Sequence, residues 1–572
     1  MPIQNADIAD IFTRVANMLE IEDANPFRVR AYRNAARTVS SLGRSVSEMV
    51  EDDQDLTELA GIGSDLAQKI REIVETGSLR QLEALEEQTP AGLNDLMGVS
   101  GLGPKRVAAL YRELGVTSLK ELKSAAESHE IREVDGFGEK TEQSILESLA
   151  RSEGKEERIP LQEAEQRAAP LVDYLKDSKG IKQITVAGSY RRCKETVGDL
   201  DILVSCKRDE NPMDRFTAYE DVRKVVSKGD TRSTVVLKSG LQVDLRVLPA
   251  VGYGAGLHYF TGSKAHNIAV RKRGVKKNLK INEYGVYRGK KRVAGKTEKE
   301  VYDAVDLPYI EPELREDNGE IEAAEKGRLP DLVAADDIRG DLHAHTNATD
   351  GQDSLEDMAE AAKDLGYRYL AITEHSRKVT MAKGFDADRL EEQIERIDRL
   401  NEALEDFRLL KGIEVDILED GQLDLPDDIL KELDLRVCSV HYHQNLPRKK
   451  QTRRILKAME NPYFNILGHP TGRIIGQRGP IEVDLEQVMK AAGENGCFLE
   501  LNAEPDRLDL NDSHCRMARE IGVKVAVSTD AHSSGSLRFM RFGIHQARRG
   551  WLEAGDVVNT RSTAALLKMM KR

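Results

Sequence analysis

The sequence predicts a multidomain chain in which helical domains are followed by two α/β domains. Apolar residues recur at helical spacing near the start, where Ile8, Phe12, Val15 and Leu19 share one face. Strand-like runs then alternate with helical patterns from residue 156, and a second strand–helix alternation begins at residue 338. A length of 572 residues fits about four domains of roughly 150 residues each.

Changes in pattern and composition give the expected boundaries. We expect two helical domains, a domain with a mixed β-sheet, a small basic domain, an acidic linker and a seven-stranded strand–helix barrel. In that order their bounds are 1–85, 86–155, 156–255, 256–315, 316–337 and 338–572.

Composition and charge exclude several classes of protein. No stretch approaches the ~20 apolar residues of a membrane span, and the first residues show no signal-peptide pattern. The five cysteines form no CxxC pair, which favours a reducing cytoplasm over a secreted disulfide framework. A net charge of −14 argues against indiscriminate coating of nucleic acid, although local charge decides whether DNA binds.

One segment of the chain is strongly basic. Residues 264–299 carry thirteen Lys and Arg against two Glu. Such a run is either a solvated surface or a contact to phosphates. Its position directly after a set of carboxylates favours a contact to a nucleic-acid backbone.

Three Gly-x-Gly motifs recur between helical patterns in the first 155 residues. Glycine permits a tight turn with positive φ, and the turn presents backbone N–H groups at a helix start, where a phosphate oxygen can bind. One such motif is usually only a turn, but three together indicate helix-hairpin-helix contacts to DNA. The candidate residues are Gly61, Gly63, Gly101, Gly103, Lys105, Gly136 and Gly138.

Three aspartates predict a nucleotidyl-transfer site. Asp199 and Asp201 alternate in an apolar run, so on a strand both side chains face the same side. Asp244 lies in a second strand-like run, and three carboxylates on one sheet face can hold two divalent cations, preferably Mg²⁺. Upstream, the groups that suit triphosphate oxygens are the amides of Gly188 and Ser189, the Ser189 hydroxyl and the Arg192 guanidinium.

The last domain carries nine groups of metal-ligand type, most of them at the carboxyl ends of its predicted strands. Parallel barrels place their chemistry at these ends. Imidazole and carboxylate ligands together suit Zn²⁺, Mn²⁺ or Fe²⁺, and such a cluster predicts metal-assisted phosphoester hydrolysis. A single histidine is usually structural, whereas an array of this size is not. The nine residues are His343, His345, Asp350, His375, Glu414, His441, His469, Asp530 and His532.

A stretch after the aspartates narrows the function. Tyr259-Phe260-Thr261-Gly262-Ser263, with Asn267, Arg271 and Ile281-Asn282-Glu283-Tyr284, closely resembles the family X DNA polymerases, which include DNA polymerase beta. The resemblance covers about residues 1–315. It implies a lyase-like domain, fingers, a nucleotidyltransferase palm and a thumb, in chain order.

The same resemblance implies residue roles. Asp199, Asp201 and Asp244 are implied to bind the catalytic metals. The residues implied to hold the incoming nucleotide are Gly188, Ser189, Arg192, Gly198, Tyr259, Phe260, Gly262 and Asn267. Arg271 is implied to contact the template strand.

In this family the first domain can also remove a 5′-deoxyribose phosphate through a lysine Schiff base, which requires an uncharged amine. Lys69 matches the place of that nucleophile after the glycine hairpin. Asp65, one helical turn away, stands where eukaryotic relatives carry a second lysine, and we expect it to stabilise the ammonium form. Lys69 is therefore either a lyase nucleophile or a surface lysine of a DNA-binding helix.

The nine-ligand array resembles the PHP (polymerase and histidinol phosphatase) domain, a distorted (β/α)7 barrel, over about residues 338–572. A family X core joined to this domain resembles the bacterial and archaeal members of the family. In those proteins the PHP domain is associated with 3′→5′ exonuclease activity and, in some, with cleavage at abasic sites.

The leading hypothesis is a DNA repair polymerase that fills short gaps and trims 3′ ends. It implies Mg²⁺ or Mn²⁺ at the palm and up to three Zn²⁺, Mn²⁺ or Fe²⁺ ions in the PHP domain. The expected partners are gapped or primed DNA and deoxynucleoside triphosphates, and we expect a cytoplasmic monomer without membrane contact. Two alternatives are a small-molecule phosphoesterase fused to a DNA-binding arm and a non-catalytic repair scaffold; the complete ligand sets argue against both.

Overall fold

The structure is a computed structural model that describes residues 3–571 except 4, 41, 43–45, 60, 89, 91, 98, 100, 101, 153–157, 179 and 207–211. The chain forms two compact units, Met1–Glu157 and Arg158–Arg572. Among the helices of these described residues, none combines the length and apolar character that crossing a bilayer requires.

The first unit is entirely helical. Ile8, Phe12 and Val15 are fully buried on one face of the first helix, which packs against the second. One apolar core extends through both helical domains expected from the sequence. The helices are α1 (Asn5–Ile21), α2 (Pro26–Ser40), α3 (Val46–Glu51), α4 (Ser64–Thr76), α5 (Arg80–Gln88), α6 (Gly92–Leu96), α7 (Pro104–Leu114), α8 (Leu119–Glu127) and α9 (Glu139–Ser152).

The second unit begins with the predicted mixed sheet. Its five main strands lie in the order β2-β4-β7-β6-β5, with β4 and β7 parallel and the other pairs antiparallel. The strands are β1 (Ile159–Pro160), β2 (Ile181–Val186), β3 (Thr196–Val197), β4 (Asp199–Cys206), β5 (Val222–Lys228), β6 (Arg232–Leu237) and β7 (Gln242–Val247). The helices are α10 (Leu161–Lys176), α11 (Gly188–Arg191) and α12 (Pro212–Thr217).

A small domain with a three-stranded antiparallel sheet follows. Its elements are α13 (Tyr253–Thr261), α14 (Lys264–Lys276), β8 (Lys280–Asn282), β9 (Gly285–Arg288), β10 (Lys291–Ala294) and α15 (Glu298–Asp303). Residues 316–337, the expected acidic linker, are folded onto this domain. They contain α16 (Glu320–Glu325), and Ile321, Ala324 and Leu332 lie in the same apolar core as Val301 and Tyr302.

The rest of the chain forms the predicted seven-stranded barrel. Its strands are all parallel and lie in chain order. They are β11 (Gly340–Asp341), β12 (Tyr369–Ile372), β13 (Arg408–Asp416), β14 (Leu435–Ser439), β15 (Ile466–Leu467), β16 (Phe498–Asn502) and β17 (Val525–Ser528). The helices are α17 (Leu355–Asp364), α18 (Ala387–Asn401), α19 (Asp427–Leu430), α20 (Arg448–Met459), α21 (Leu485–Asn495), α22 (Asp512–Ile521), α23 (Met540–Arg549) and α24 (Thr563–Met570).

Contacts between the first and last strands close the barrel. Beyond the carboxyl ends, Ala344 bridges Ala531, and the His345 amide donates to the Ala531 carbonyl at 2.8 Å. Within the strands, the fully buried Asn559 side chain connects β11 to β17. Its Nδ2 donates to the carbonyls of Gly340 and Val527, each at 2.8 Å, and its Oδ1 accepts from the Val527 amide at 3.1 Å.

Replacing Asn559 with Ala therefore leaves several buried backbone groups without partners. Because each such group costs about 1–3 kcal/mol, we expect destabilisation of about 3–5 kcal/mol. Urea unfolding followed by fluorescence of Trp551, the single tryptophan of the chain, measures the effect. Asn495→Ala is the control, since Asn495 makes a local bond to the Ala491 carbonyl. Equal midpoints for the two variants would contradict this role of Asn559.

Candidate functional sites

The three aspartates of the palm converge on one face of the sheet. Asp201 on β4 and Asp244 on β7 lie directly opposite each other in the parallel pair, and Asp199 lies two residues before Asp201 on the same strand. Asp244 is buried, Asp201 is half-buried and Asp199 is exposed. The expected carboxylate cluster is therefore assembled, with its open side at Asp199.

Three side chains that the sequence interpretation did not select surround Asp244. Thr234 Oγ1 donates to its Oδ1, and Arg232 Nη2 donates to its Oδ2 at 3.0 Å. Arg246 contacts both carboxylates, with Nη2 at 3.5 Å from Asp244 Oδ2 and Nε at 4.0 Å from Asp201 Oδ1. Arg246 and Thr234 lie on β7 and β6, whose alternating pattern could have placed them on this face.

The electrostatics of this cluster fit a cation site. Burial, together with the charges of Asp199 and Asp244, raises the pKa of Asp201 to about 7. Protein arginines alone therefore do not compensate the three carboxylates at neutral pH. Divalent cations would supply the missing positive charge.

The predicted triphosphate turn lies beside the carboxylates. Gly188 has φ +66°, and a Cβ on it would lie 3.5 Å from Asp201 Oδ2, so its backbone approaches the carboxylate closely. Ser189 follows it in α11. Arg192 is held by protein groups: its Nε donates to Glu316 Oε1 at 3.0 Å and its Nη1 to the Thr261 carbonyl at 2.5 Å.

Gly198 directly precedes Asp199 at the start of β4. A Cβ there would lie 3.1 Å from Nη1 of Arg158, whose Nη2 donates to the Thr196 carbonyl at 2.7 Å. Gly198 therefore permits the strand that carries the aspartates to pass close to this arginine.

Residues 259–263, Asn267 and Arg271, which resemble the family X polymerases, form one compact group on α13 and α14. The rings of Tyr259 and Phe260 pack edge to face with centroids 5.0 Å apart. Asn267 Nδ2 donates to the Tyr259 carbonyl at 2.7 Å, while its buried Oδ1 has no partner among the described residues. Arg271 lies over the Tyr259 ring at 5.9 Å, and Gly262 ends α13 with φ +67°.

The nine predicted ligands of the barrel meet at the carboxyl ends of its strands. One group contains four residues, His345, Asp350, His375 and His532, of which Asp350 is exposed. A second group contains His343, His345 and Asp530, and a third contains His375, Glu414 and His441. His469 completes the array, with its Nε2 at 3.0 Å from Glu414 Oε1.

The first barrel strand is shorter than its sequence pattern predicts. The apolar run 338–346 predicts a strand that includes His343 and His345. In the structure β11 covers only Gly340–Asp341, and both histidines lie beyond it. Their rings still meet, with Nε2 atoms 3.1 Å apart. Asp530 and His532, expected on one strand face, fall in different groups because Asp530 has φ 53° and the chain leaves strand geometry there.

Buried atoms without hydrogen bonds indicate that this array fits metal ions. His345 Nδ1, His375 Nδ1 and Glu414 Oε2 are all buried and make no hydrogen bond to a described residue. His375 Nδ1 and Glu414 Oε2 lie 2.7 Å apart, but without hydrogen-bond geometry. Groups oriented in this way toward a shared space are typical of metal ligands.

Residues outside the nine orient the ligands, and the sequence interpretation missed them. Glu500 on β16 accepts from His343 Nδ1 at 2.7 Å and from the His469 amide at 2.6 Å. Asp416 on β13 lies 3.2 Å from His441 Nδ1. Carboxylates that fix ligating imidazoles are a usual feature of metal sites. For Glu500 the sequence offered a signal, since a glutamate inside the apolar run 498–501 is unusual.

In the first unit, the glycine motifs occupy helix starts as predicted. Gly63 and Gly103 are the residues before α4 and α7, and neither helix start is capped by a side chain. Gly136 has φ +80°, and a Cβ on Gly136 or Gly138 would meet nothing within 4 Å. Lys105 lies in the first turn of α7, Gly61 has φ +79°, and Gly101 lies outside the described residues.

Lys69 on α4 forms the ion pair with Asp65 that the sequence indicates. Burial lowers its pKa, but hydrogen bonds to Asp65 and Tyr32 outweigh burial, so the pKa of Lys69 is raised above its ordinary value. The amine is therefore kept in its charged form, which opposes Schiff-base formation.

Comparison with known families defines the class of protein. Family profiles described as a helix-hairpin-helix domain and a SAM-like helix-hairpin-helix tandem match residues 3–79 and 93–151. Those of the DNA polymerase beta palm, the DNA polymerase beta thumb and the PHP domain match 158–246, 256–316 and 341–504. The chain belongs to the family X DNA polymerases that carry a C-terminal PHP domain.

Individual relatives agree with this assignment. The DNA polymerase/3′-5′ exonuclease PolX of Bacillus subtilis is 38% identical over 571 residues, which is 99% of each chain. DNA polymerase lambda of Arabidopsis thaliana is 27% identical over 351 residues, 55% of this chain and 62% of that protein. A probable phosphatase of Thermoanaerobacter is 32% identical over 205 residues, 34% of this chain and 79% of that protein.

Metal binding to the barrel should release protons. Burial lowers the pKa of its histidines, but nearby carboxylates outweigh burial at four of them. They raise the pKa of His343 well above its ordinary value, that of His375 to about 10 and those of His441 and His532 to about 9. These four imidazoles are charged at pH 7 without metal, and a metal binds only the neutral form. We therefore expect about four protons released per chain when Mn²⁺ binds.

Calorimetric titration of Mn²⁺ in buffers of different ionisation enthalpy counts these protons. His443→Gln is the matched control, because His443 is exposed and lies outside the three groups. It should leave the proton count unchanged, whereas His375→Gln should reduce it. Release of less than one proton by the unaltered chain would contradict the charge assignment.

Asp65 should limit Schiff-base formation at Lys69. Replacing Asp65 with Asn removes a group that raises the pKa of Lys69, so more of the amine is neutral near pH 8. We expect more covalent product when borohydride traps the protein on DNA with a 5′-deoxyribose phosphate. Lys69→Ala in the same background shows whether Lys69 forms that product. An unchanged yield in Asp65→Asn would reject Asp65 as the inhibiting group.

Proposed function

We propose that the chain is a DNA repair polymerase that fills short gaps and carries its own 3′→5′ exonuclease. The observation that carries the proposal is the presence of two complete ligand sets on separate sheets of one unit. Asp199, Asp201 and Asp244 form the first, and the nine barrel residues form the second. Membership of a family that includes a named polymerase/exonuclease supports the pairing.

At the palm, the proposed reaction is transfer of a nucleotide to a primer 3′-hydroxyl. Two Mg²⁺ or Mn²⁺ ions held by the three aspartates would lower the pKa of the hydroxyl and neutralise the triphosphate. Ser189, Arg192 and the turn at Gly188 then hold the phosphates next to Asp201. Tyr259 and Phe260 form one wall for the sugar, and the unpartnered Asn267 Oδ1 is available to the base or a water.

At the barrel, the proposed reaction is hydrolysis of the terminal phosphodiester of a DNA strand. Up to three ions, of Zn²⁺, Mn²⁺ or Fe²⁺, would supply a hydroxide and stabilise charge on phosphorus. Glu500 and Asp416 orient His343 and His441 for this role. Six of the nine ligands are buried, namely His343, His345, His375, Glu414, His469 and Asp530, so most of the site is arranged before substrate arrives.

The proposed substrate is gapped or primed DNA with deoxynucleoside triphosphates. The helix starts after Gly63, Gly103 and Gly138 present backbone amides without a Cβ in the way, which suits phosphate oxygens. The basic run at 264–299, with Arg271, adds positive charge next to the palm. We further propose that the protein is a cytoplasmic monomer. The five cysteines are free, which supports the cytoplasmic compartment.

Single substitutions should separate the two activities. Asp199→Ala should lower nucleotide addition on gapped DNA by at least roughly 100-fold and leave exonuclease activity unchanged, because it removes a palm ligand only. His343→Ala should do the reverse. Addition and hydrolysis are measured on the same labelled primer with and without triphosphates. Loss of both activities in either variant would refute separate centres.

A further inference from the structure

The barrel contacts the palm at the turn that follows the proposed triphosphate site. Arg549, the last residue of α23, is almost fully buried there, with its side chain 4% exposed. Its Nη1 donates to the Arg192 carbonyl at 2.8 Å and to Glu316 Oε1 at 3.2 Å. Its Nη2 donates to Asp512 on α22 at 2.5 Å, which anchors the guanidinium to the barrel.

Glu316 joins this arginine to Arg192. Its Oε1 accepts from Arg192 Nε at 3.0 Å, and Lys194 Nζ lies 3.7 Å away. With Nη1 of Arg192 bonded to the Thr261 carbonyl, two of the three guanidinium nitrogens are fixed by protein. Nη2 makes no bond to any described residue, so the side chain is held with one edge available.

A second contact holds the other end of the same turn. Arg473 of the barrel donates from Nη2 to Glu195 Oε2 at 2.7 Å and to the Leu508 carbonyl at 2.6 Å. Gln546 Nε2 lies 3.4 Å from the same Glu195 oxygen. Beneath these polar contacts, Leu508 and Phe542 of the barrel belong to the apolar core of the palm. Barrel residues therefore fix both ends of residues 192–195.

We infer that Arg549 of the barrel, acting through Glu316, is a positioning residue for Arg192 in nucleotide binding. The inference rests on the proposed polymerase function and adds that the PHP domain forms part of the triphosphate site. An arginine loses much side-chain freedom when it binds a phosphate. Fixing its Nε edge in advance lowers that cost and directs the remaining edge at the ligand.

An interface that only joins the barrel to the palm would give a different result on substitution. Arg541, on the same helix, forms another palm contact through Glu165 at 2.7 Å but does not bond to residues 192–195. If the ion pairs only join the domains, loss of Arg541 and loss of Arg549 should affect nucleotide binding alike. If Arg549 positions Arg192, only its loss should matter. Arg541→Met is therefore the matched control for Arg549→Met.

The test measures triphosphate affinity in the full chain. Glu316→Gln, Arg549→Met, Arg549→Lys and Arg541→Met are bound to gapped DNA with a dideoxy-terminated primer, and the complementary deoxynucleoside triphosphate is titrated with Mg²⁺. We expect about tenfold weaker binding for Glu316→Gln and Arg549→Met, the cost of one charge-assisted hydrogen bond. Arg549→Lys should recover part of the affinity, and Arg541→Met should bind as the unaltered chain does.

Three further readouts separate positioning from damage to the fold. On extendable primers KM for the triphosphate should rise while kcat changes less than twofold. Exonuclease activity and the urea midpoint should stay unchanged in Glu316→Gln, whose shape matches the original side chain. In an Arg192→Met background, Glu316→Gln should cause no further loss of affinity, because its effect passes through Arg192.

Additive losses in that double variant, or equal effects of Arg541→Met and Arg549→Met, would overturn the inference. So would parallel loss of exonuclease activity and stability in Glu316→Gln. Failure of the unaltered chain to bind triphosphate or extend a primer has a different meaning, since it would reject the polymerase function and this inference together.

Discussion

Carboxylates buried in the second unit are compensated by groups from distant parts of the chain, and this constraint organises the unit. Glu298 of α15 lies between Arg191 and Arg315, with bonds of 2.6 Å to each. Burial would raise its pKa, but the two arginines outweigh burial and lower it to about 2. Because a buried charge without a partner is costly, the three residues hold palm and thumb segments in one arrangement.

The same constraint applies where the barrel meets the palm. Arg549 donates to Asp512 and Glu316, and Arg473 donates to Glu195. Each contact joins residues that are more than thirty positions apart in sequence. Removing one partner from such a network leaves the others buried and unpaired. The expected acidic linker at 316–337 is a folded segment, because Glu316 binds Arg192 and the apolar Ile321 is part of an apolar core. The domains of this unit are thus joined by specific ion pairs over apolar cores.

The sequence was sufficient where function depends on local spacing. Asp199 and Asp201 alternate on a strand, and ligands such as His441 follow short apolar runs, so strand periodicity placed them correctly. Spacing was insufficient where a role depends on a distant partner. The sequence around Glu316 and Arg549 does not indicate their inferred roles. These roles depend on contacts among residues 192, 316 and 549, which form only in the folded chain. The length of the first barrel strand was also overestimated, because extended chain beyond β11 carries the same pattern as the strand.

The two centres compensate their negative charge in opposite ways. In the barrel, His343 and Glu414 are at most 1% exposed, and the charged His343 and His375 lie in contact with the Glu414 carboxylate. Such a site is complete within the protein and suits resident ions that stay through many turnovers. In the palm, Asp199 is exposed, and the raised pKa of Asp201 marks charge that the protein does not neutralise. Cations that entered with a triphosphate would remove that deficit, so the proposed metal binding at the palm would be coupled to the arrival of substrate.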